Sequence, residues 1–317
     1  MYIETNYKTA MKFSGHDTFA CRTTWLYKGI DLLNKNRTSD NQIDITILNG
    51  HQSTIELGVG KNMVNAIKHW LLAFGIVEIE ENDFGELAEL IYADGDDDNN
   101  LDAFIEDKFT LWILHHEICT REYASIFHYF FKEYFKRKST RTFSETEFVG
   151  SLASYIKGEG ESLPSLNSLS TDFRCLIDTY CIKKSKKATL EDNYTTLLTE
   201  LDLIKRTEFR TSDNEVINEL NTQAAENEST ALVATLLLKT FGALGTASIN
   251  LDDVYLHLGT VLLLNRDAFS KILENVALDY SSDFSFKQNE ATGIQELQIN
   301  TKSSWMDFVK KHHYQVC

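Results

Sequence analysis

The residue types that could perform chemistry are concentrated in the segment Phe13–Phe19, which reads FSGHDTF, and just after it. A histidine beside an aspartate can act as a general base with an orienting carboxylate, and a nearby cysteine can act as a nucleophile. Adjacent residues of one strand or helix point in different directions, so such a dyad requires a sharp bend. The segment is therefore either a reactive site or a structural motif that hydrogen-bonds to backbone and caps the next helix. The residues concerned are Ser14, His16, Asp17, Cys21 and Arg22.

The other histidines and the cysteines do not form a recognisable metal or cofactor motif. His115, His116 and Glu117 are adjacent, and so are His312 and His313, but neither group has the i, i+4 spacing that puts two ligands on one helical face. The five cysteines contain no C-x-x-C pair, which is typical of reduced thiols in a cytosolic protein. Glycine-rich phosphate or dinucleotide loops are also missing. The sequence predicts no metal and no cofactor.

Residues 50–80 carry the pattern of a helix-turn-helix followed by a strand. The turn of this motif needs a residue without a Cβ, and Gly58 meets that need. The second helix is predicted from about Gly60 to Phe74, and Ile76–Ile79 then alternates like the first strand of a wing. The side chains that must be buried for the two helices to pack fall at the right offsets: Leu57, Val59, Val64 and Ile67.

The polar face of this second helix is suited to contact DNA. Lysine can reach phosphates or guanine, and asparagine can pair with the edge of adenine in the major groove. A polar outer face is equally typical of any surface helix, and winged helices also dock proteins, so both functions stay open. The predicted DNA-binding residues are Lys61, Asn62, Asn65, Lys68 and His69.

The formal net charge of −16 would repel nucleic acid if it were spread evenly along the chain. It is not, because thirteen acidic residues and no basic residue fall within residues 78–107, and the rest of the chain carries only −3. We expect this segment to be a solvated loop whose last acidic residues cap the following helix. It would discourage indiscriminate DNA binding or hold a basic partner surface.

Composition and periodicity predict a mainly α-helical α+β fold with small β-hairpins. A single proline, Pro164, and 15 glycines favour helices joined by short polar turns. Two helices at 251–258 and 267–278 followed by a hairpin resemble a second winged helix. The run Ile43–Ile47 is either a short strand or the start of another helix, and its alternation favours the strand. The predicted domains are a winged-helix-type domain (1–114) with the acidic loop 78–107, a helical domain (115–225) and a C-terminal winged-helix-like domain (226–317).

Several segments together resemble the bacterial family known as domain of unknown function 4007. The specific ones are FSGHDTF, ELGVGKNMVNAIKHWLLAFGIVE (56–78) and IEDKFTLWILHHEI (105–118), and weaker similarity continues at STDFRCLIDTY (170–180) and ATGIQELQI (291–299). Members usually have glutamate where this chain has Asp17 and proline where it has Ala103 and Lys108. The resemblance implies a place in defence islands beside ATPases, phosphoadenosine-phosphosulfate-reductase-like proteins and DNA phosphorothioation or BREX-type systems.

These observations favour a non-enzymatic, cytoplasmic DNA-binding subunit of an antiphage-defence or DNA-modification system. Its expected partners are double-stranded DNA and proteins from the same operon, either an ATPase or a phosphoadenosine-phosphosulfate-reductase-like protein, and no membrane is expected. One alternative is an adaptor that docks such a protein and does not touch DNA. The other is an enzyme that uses His16, Asp17 and Cys21.

Overall fold

The structure, a computed structural model, describes residues 11–92, 101–138, 140–182, 196–288 and 293–316 of the 317-residue chain. These residues form two compact units that divide between Leu220 and Asn221. Helices and small antiparallel sheets make up both units, which confirms the predicted α+β class with mainly helical content. The predicted division into three domains remains a prediction.

The first unit contains eight α-helices among the described residues, most of them short. They are α1 (Thr23–Lys35), α2 (His51–Leu57), α3 (Lys61–Ala73), α4 (Ala88–Ile91), α5 (Lys108–Thr120), α6 (Ser125–His128), α7 (Glu145–Gly158) and α8 (Leu166–Tyr180). Helix α6 continues as a π-helical turn (Tyr129–Glu133) and a 3-10 turn (Tyr134–Arg137).

Helices α2 and α3 form the helix-turn-helix that the sequence predicts. Gly58 ends α2 in the left-handed region, at φ 66° and ψ 30°, a conformation that is easily adopted without a Cβ. Leu57, Val64 and Ile67 are buried where the helices pack, whereas Val59, also predicted to be buried, is partly exposed. Strands β1 (Val77–Glu78) and β2 (Asp83–Phe84) follow as an antiparallel hairpin. The winged-helix assignment of this region remains a prediction.

The strand predicted at Ile43–Ile47 is wrong, because the chain forms a 3-10 helix at Ile45–Asn49. The Asp44 carboxylate accepts a hydrogen bond from the Thr46 backbone N–H at 2.9 Å. A side chain that caps its own backbone in this way initiates a helical turn and competes with strand pairing. The capping expected at the end of the acidic loop is observed at Asp107, which accepts from the Phe109 N–H at 2.9 Å and starts α5. Residues 93–100 of that loop lie outside the described residues.

A three-stranded antiparallel sheet in the first unit has no counterpart in the prediction of a helical middle domain. Its strands are β3 (Thr142–Phe143), β4 (Ile204–Arg210) and β5 (Val216–Leu220), in the order β3-β5-β4. Strand β4 lacks the alternation of buried and exposed side chains that is typical of a half-buried strand. Its exposed side chains include Lys205, Arg206, Glu208 and Phe209. The sheet therefore gave no periodic signal in the sequence.

The second unit has the predicted order of helices followed by a hairpin. Its elements are α9 (Thr230–Phe241), β6 (Ala247–Asn250), α10 (Leu251–Val254) with a π-helical continuation (Tyr255–Gly259), α11 (Arg266–Asp279), β7 (Phe284–Gln288), β8 (Gln295–Ile299) and α12 (Trp305–Val316). The strands pair in the order β6-β8-β7. Within the described part of the chain, no helix combines the length and apolar character needed to cross a membrane.

Candidate nucleic-acid interface

The structure brings together the two regions that the sequence singled out separately. The segment Phe13–Phe19, here called the motif loop, lies on helix α3. Its Asp17 Oδ2 accepts a hydrogen bond from Asn65 Nδ2 at 2.9 Å. At the end of the loop, the Phe19 carbonyl accepts from Trp70 Nε1 at 3.0 Å. The motif loop and α3 therefore form one composite surface, which combines residues from both predicted sites.

The motif loop has an unusual backbone. Ser14, Asp17 and Thr18 all have positive φ, at 63°, 46° and 69°, and Gly15 lies at φ 100°. Residues with a Cβ rarely adopt this region, so three of them within five positions need support from outside the loop. That support comes from two side chains, His16 inside the loop and Asp172 on α8.

His16 is buried, and both of its ring nitrogens are hydrogen-bonded. Its Nδ1 accepts from the Thr18 backbone N–H at 3.1 Å, which leaves the ring proton on Nε2. Nε2 donates to Asp172 Oδ1 at 2.9 Å, and Asp172 Oδ2 accepts from the Ser14 N–H at 2.9 Å. Asp172 itself is only 1% exposed. The two hydrogen bonds to Asp172 fix the tautomer of His16 and attach Ser14 and His16 of the loop to α8.

This geometry is unfavourable for the chemistry that the sequence allowed. Neither nitrogen of His16 can take a proton from a substrate without giving up a hydrogen bond. The Cys21 thiol is fully buried, and burial together with nearby Cys175 raises its pKa well above the ordinary value, so it lacks the thiolate character of a nucleophile. The Arg22 guanidinium lies over the Trp25 ring, 5.5 Å from its centre.

His69 is not on the exposed face of α3, which corrects the prediction from the sequence. It is 5% exposed because Gly15 of the motif loop covers it, and it packs edge-on against the rings of His16 and Trp70. Neither ring nitrogen has a hydrogen-bond partner among the described residues. Burial, followed by the proximity of His16 and Lys12, lowers the pKa of His69 to about 3. A direct contact between His69 and DNA is thus incompatible with this arrangement.

The other four predicted residues of α3 fall into two groups. Lys61 and Asn62 are exposed in the first turn. Asn65 and Lys68 are partly exposed and already bonded, Asn65 to Asp17 and Lys68 Nζ to Asn49 Oδ1 at 3.0 Å. The N-terminus of α3 has no side-chain cap and no acidic residue in its first turn. Free backbone N–H groups and the helix dipole make such an end attractive to anions.

Two further residues shape this surface, Lys12 and Asp172, and neither is among the predicted site residues. Lys12 precedes the motif loop and is exposed, and its ammonium lies 3.8 Å from the centre of the Tyr123 ring. Partial burial, and then the positive charge of Lys68 on α3, lower the pKa of Lys12. Asp172 lies within 170–180, one of the weaker segments of family similarity, and that similarity was the available signal.

Replacing Gly15 with alanine is expected to destabilise the protein. An added Cβ would lie 2.9 Å from His69 Nδ1, and φ 100° is strained for any residue that has a side chain. We expect a loss of about 1–2 kcal/mol in the free energy of unfolding, measured by urea denaturation. Gly150→Ala is the matched control, since its Cβ would meet open space on helix α7, and it should be neutral or slightly stabilising. Equal effects of the two changes would contradict this account of the loop.

Comparison with known proteins identifies the fold but not an activity. A family model described as "Protein of unknown function (DUF4007)" matches residues 13–314. None of the curated proteins matches this chain. A crystal structure of magnesium ion-bound SspB has a TM-score of 0.76 and 19% sequence identity, and the match covers 96% of this chain and 88% of that one. A second SspB crystal structure has a TM-score of 0.74 with the same identity and coverage.

Proposed function

The chain belongs to the DUF4007 family of proteins of unknown function, and we propose that it is a non-enzymatic DNA-binding subunit of an antiphage-defence or DNA-modification system. The observation that carries this proposal is the uncapped, acid-free N-terminus of α3 at the tip of a helix-turn-helix, where Lys61 and Asn62 are exposed. In this motif the N-terminal part of the second helix contacts base edges and phosphates. The defence context follows from the family resemblance.

In the composite surface, some residues would contact DNA and others hold the motif loop in place. Lys61 and Asn62 meet the duplex directly, and Lys12 and Lys68 add positive charge to the composite surface. Asn65 holds the motif loop by its hydrogen bond to Asp17, and the His69 ring packs against Gly15 of the loop. In this proposal the motif loop is a structural part of the DNA-binding surface.

Three acidic residues of the segment 78–107 have partners within the fold. Glu78 accepts a hydrogen bond from Arg121 Nη2 at 2.6 Å, and Asp83 pairs with Arg37 at 3.2 Å. Asp102 accepts from the backbone N–H groups of Glu106 and Asp107. These carboxylates are therefore held by local partners. In this proposal the net negative charge of the segment as a whole limits nonspecific binding.

Magnesium is not part of the proposal, although one similar structure is described as magnesium-bound. Magnesium is bound through carboxylate oxygens and water in near-octahedral geometry. Across the residues that the structure describes, no group of three or more histidine, cysteine, aspartate or glutamate side chains is arranged to hold a metal ion. No step is therefore assigned to a metal.

Salt-dependent DNA binding tests the proposal. Each phosphate contact contributes about −0.9 to the slope of log K against log salt, so Lys61→Ala with Lys68→Ala should reduce the slope by about two. Affinity for a random duplex and a phosphorothioated duplex is measured by fluorescence anisotropy between low and moderate salt. The double variant Lys157→Ala with Lys205→Ala removes two exposed lysines from α7 and β4 and should leave the slope unchanged. An absence of binding to either duplex at low salt would refute DNA binding.

Protein docking is the second candidate, and exposed apolar side chains favour it. Ile55 on α2, within the helix-turn-helix, is 63% exposed, and Ile79, just after β1, is 53% exposed. Exposed apolar side chains of this kind can be buried in a protein interface. Copurification of an operon-encoded ATPase or phosphoadenosine-phosphosulfate-reductase-like protein that survives nuclease and is lost with Ile55→Asp would favour this function.

A further inference from the structure

A separate pocket of about 320 Å³ lies in the first unit, between helix α8 and strands β4 and β5. Its apolar floor consists of Phe173 and Ile177 on one face of α8, with Val216 opposite on β5. Phe173 and Ile177 are each 3% exposed. Ligand pockets usually measure about 300–1,000 Å³ and combine such apolar walls with a few polar groups. This pocket is therefore suited to a small ligand or to one side chain of a larger one.

Asn218 supplies a buried polar group to this pocket. It is 4% exposed and projects from β5 on the same face as Val216. Its Oδ1 is buried and has no hydrogen-bond partner in the part of the chain that the structure describes. An unmet buried acceptor destabilises the fold, so a ligand that donates a hydrogen bond here would recover that lost interaction.

The charged groups that line the pocket favour a cation over an anion. Arg174 forms a two-bonded ion pair with Glu145, at 3.1 and 2.7 Å, and Arg206 pairs with Asp178 at 2.7 Å. These pairs neutralise both guanidinium groups. Glu215 is the remaining charged group of the lining, and hydrogen bonds from Thr146 lower its pKa and keep it ionised. Three carboxyl groups thus oppose two guanidinium groups, for a local formal charge of −1.

We propose that this pocket binds an organic cation with an apolar stem, an alkylguanidinium or alkylammonium group that donates a hydrogen bond to Asn218 Oδ1. The stem packs on Phe173 and Ile177, and Glu215 attracts the charge. The same chemistry is offered by a free diamine or by an arginine or lysine side chain of a protein. A phosphate-bearing ligand is disfavoured, because both arginines of the lining are already paired with carboxylates.

Isothermal titration calorimetry of the full chain tests this inference with four probes: agmatine, the peptide Gly-Gly-Arg-Gly-Gly, AMP and inorganic phosphate. Saturable binding of agmatine or the peptide supports the proposal. Tighter binding of agmatine indicates a free cation, and tighter binding of the peptide indicates a side chain. Failure of both cations to bind, or binding of AMP or phosphate in preference to them, would overturn it.

Asn218→Leu keeps the branched shape but removes the acceptor. It should weaken binding of the cation at least about tenfold and leave the melting temperature unchanged or higher, because the unmet polar atom is gone. Glu219→Gln is the matched control, since Glu219 is the exposed neighbour on β5, and cation affinity should not change. If Asn218→Leu does not fold, Asp178→Asn serves instead, because it frees Arg206 and should weaken cation binding. Unchanged cation affinity in the folded variant would refute the role of the pocket.

Discussion

Replacement of Asp172 with alanine is expected to lower the free energy of unfolding by about 3–5 kcal/mol. The change removes the acceptor of two hydrogen bonds, a buried one from His16 Nε2 and a partly buried one from the Ser14 N–H. A donor left unpaired in the interior, as His16 Nε2 would be, costs about 1–3 kcal/mol. The lost volume adds a cavity cost, because Asp172 is 1% exposed. The motif loop, with its three non-glycine residues at positive φ, would then lack its anchor.

Urea denaturation at neutral pH measures this loss, with two variants that calibrate it. Asp172→Asn keeps one acceptor oxygen and should fall between alanine and the wild type. Asp213→Asn removes an acidic side chain from an exposed turn and should change stability by less than about 0.5 kcal/mol. A loss below about 1 kcal/mol for the alanine variant would show that Asp172 does not hold the loop.

Acidification is expected to destabilise the protein through His69. Its folded-state pKa of about 3 lies below the ordinary value of 6.5, so the unfolded chain binds a proton more readily. The contribution of neutral His69 to the free energy of unfolding is therefore fully present above about pH 6.5. It declines as the pH falls from there toward 3. Each unit of pKa shift corresponds to about 1.4 kcal/mol, so the loss between pH 7 and pH 4.5 is on the order of 3 kcal/mol.

The variant His69→Leu separates this effect from other titrating groups. It removes the two unpaired nitrogens, so it should be at least as stable as the wild type at pH 7. Between pH 7 and pH 4.5 it should lose less stability than the wild type by the amount that His69 contributes. Replacement of the exposed His51 with glutamine provides the control and should retain the wild-type pH dependence. Identical pH profiles for wild type and His69→Leu would contradict the burial of a neutral His69.

Local patterns predicted those parts of the fold whose structure depends on nearby residues. Gly58 identified the turn, and the helix predicted from about Gly60 to Phe74 is α3, Lys61–Ala73. The strand predicted at Ile43–Ile47 does not form, because a hydrogen bond from the Thr46 N–H to the Asp44 side chain outweighs the preference indicated by the alternation. A capping hydrogen bond acts on two or three residues, and hydrophobic periodicity does not report it.

The candidate site was predicted only in part because its assembly depends on distant residues. On the sequence alone, His69 shares a helical face with Lys61, Asn65 and Lys68. In the structure, the motif loop covers the part of this face that contains His69. The periodicity of a helix does not indicate which distant segment will pack on it, and the loop lies some fifty residues earlier in the chain. Asp172 was missed for the same reason, since its two partners lie at the opposite end of the first unit's sequence.

The bond between His16 and Asp172 joins positions that are 156 residues apart, which has a consequence for protein synthesis. Chains grow at about 5–20 residues per second, so the ribosome reaches Asp172 on the order of ten seconds after it has made His16. Helix α3 and its lysines therefore leave the ribosome well before their anchor exists. A nascent chain released before α8 would contain the lysines, but its motif loop would lack the bonds to Asp172. The complete surface can therefore form only in chains that are translated at least as far as α8.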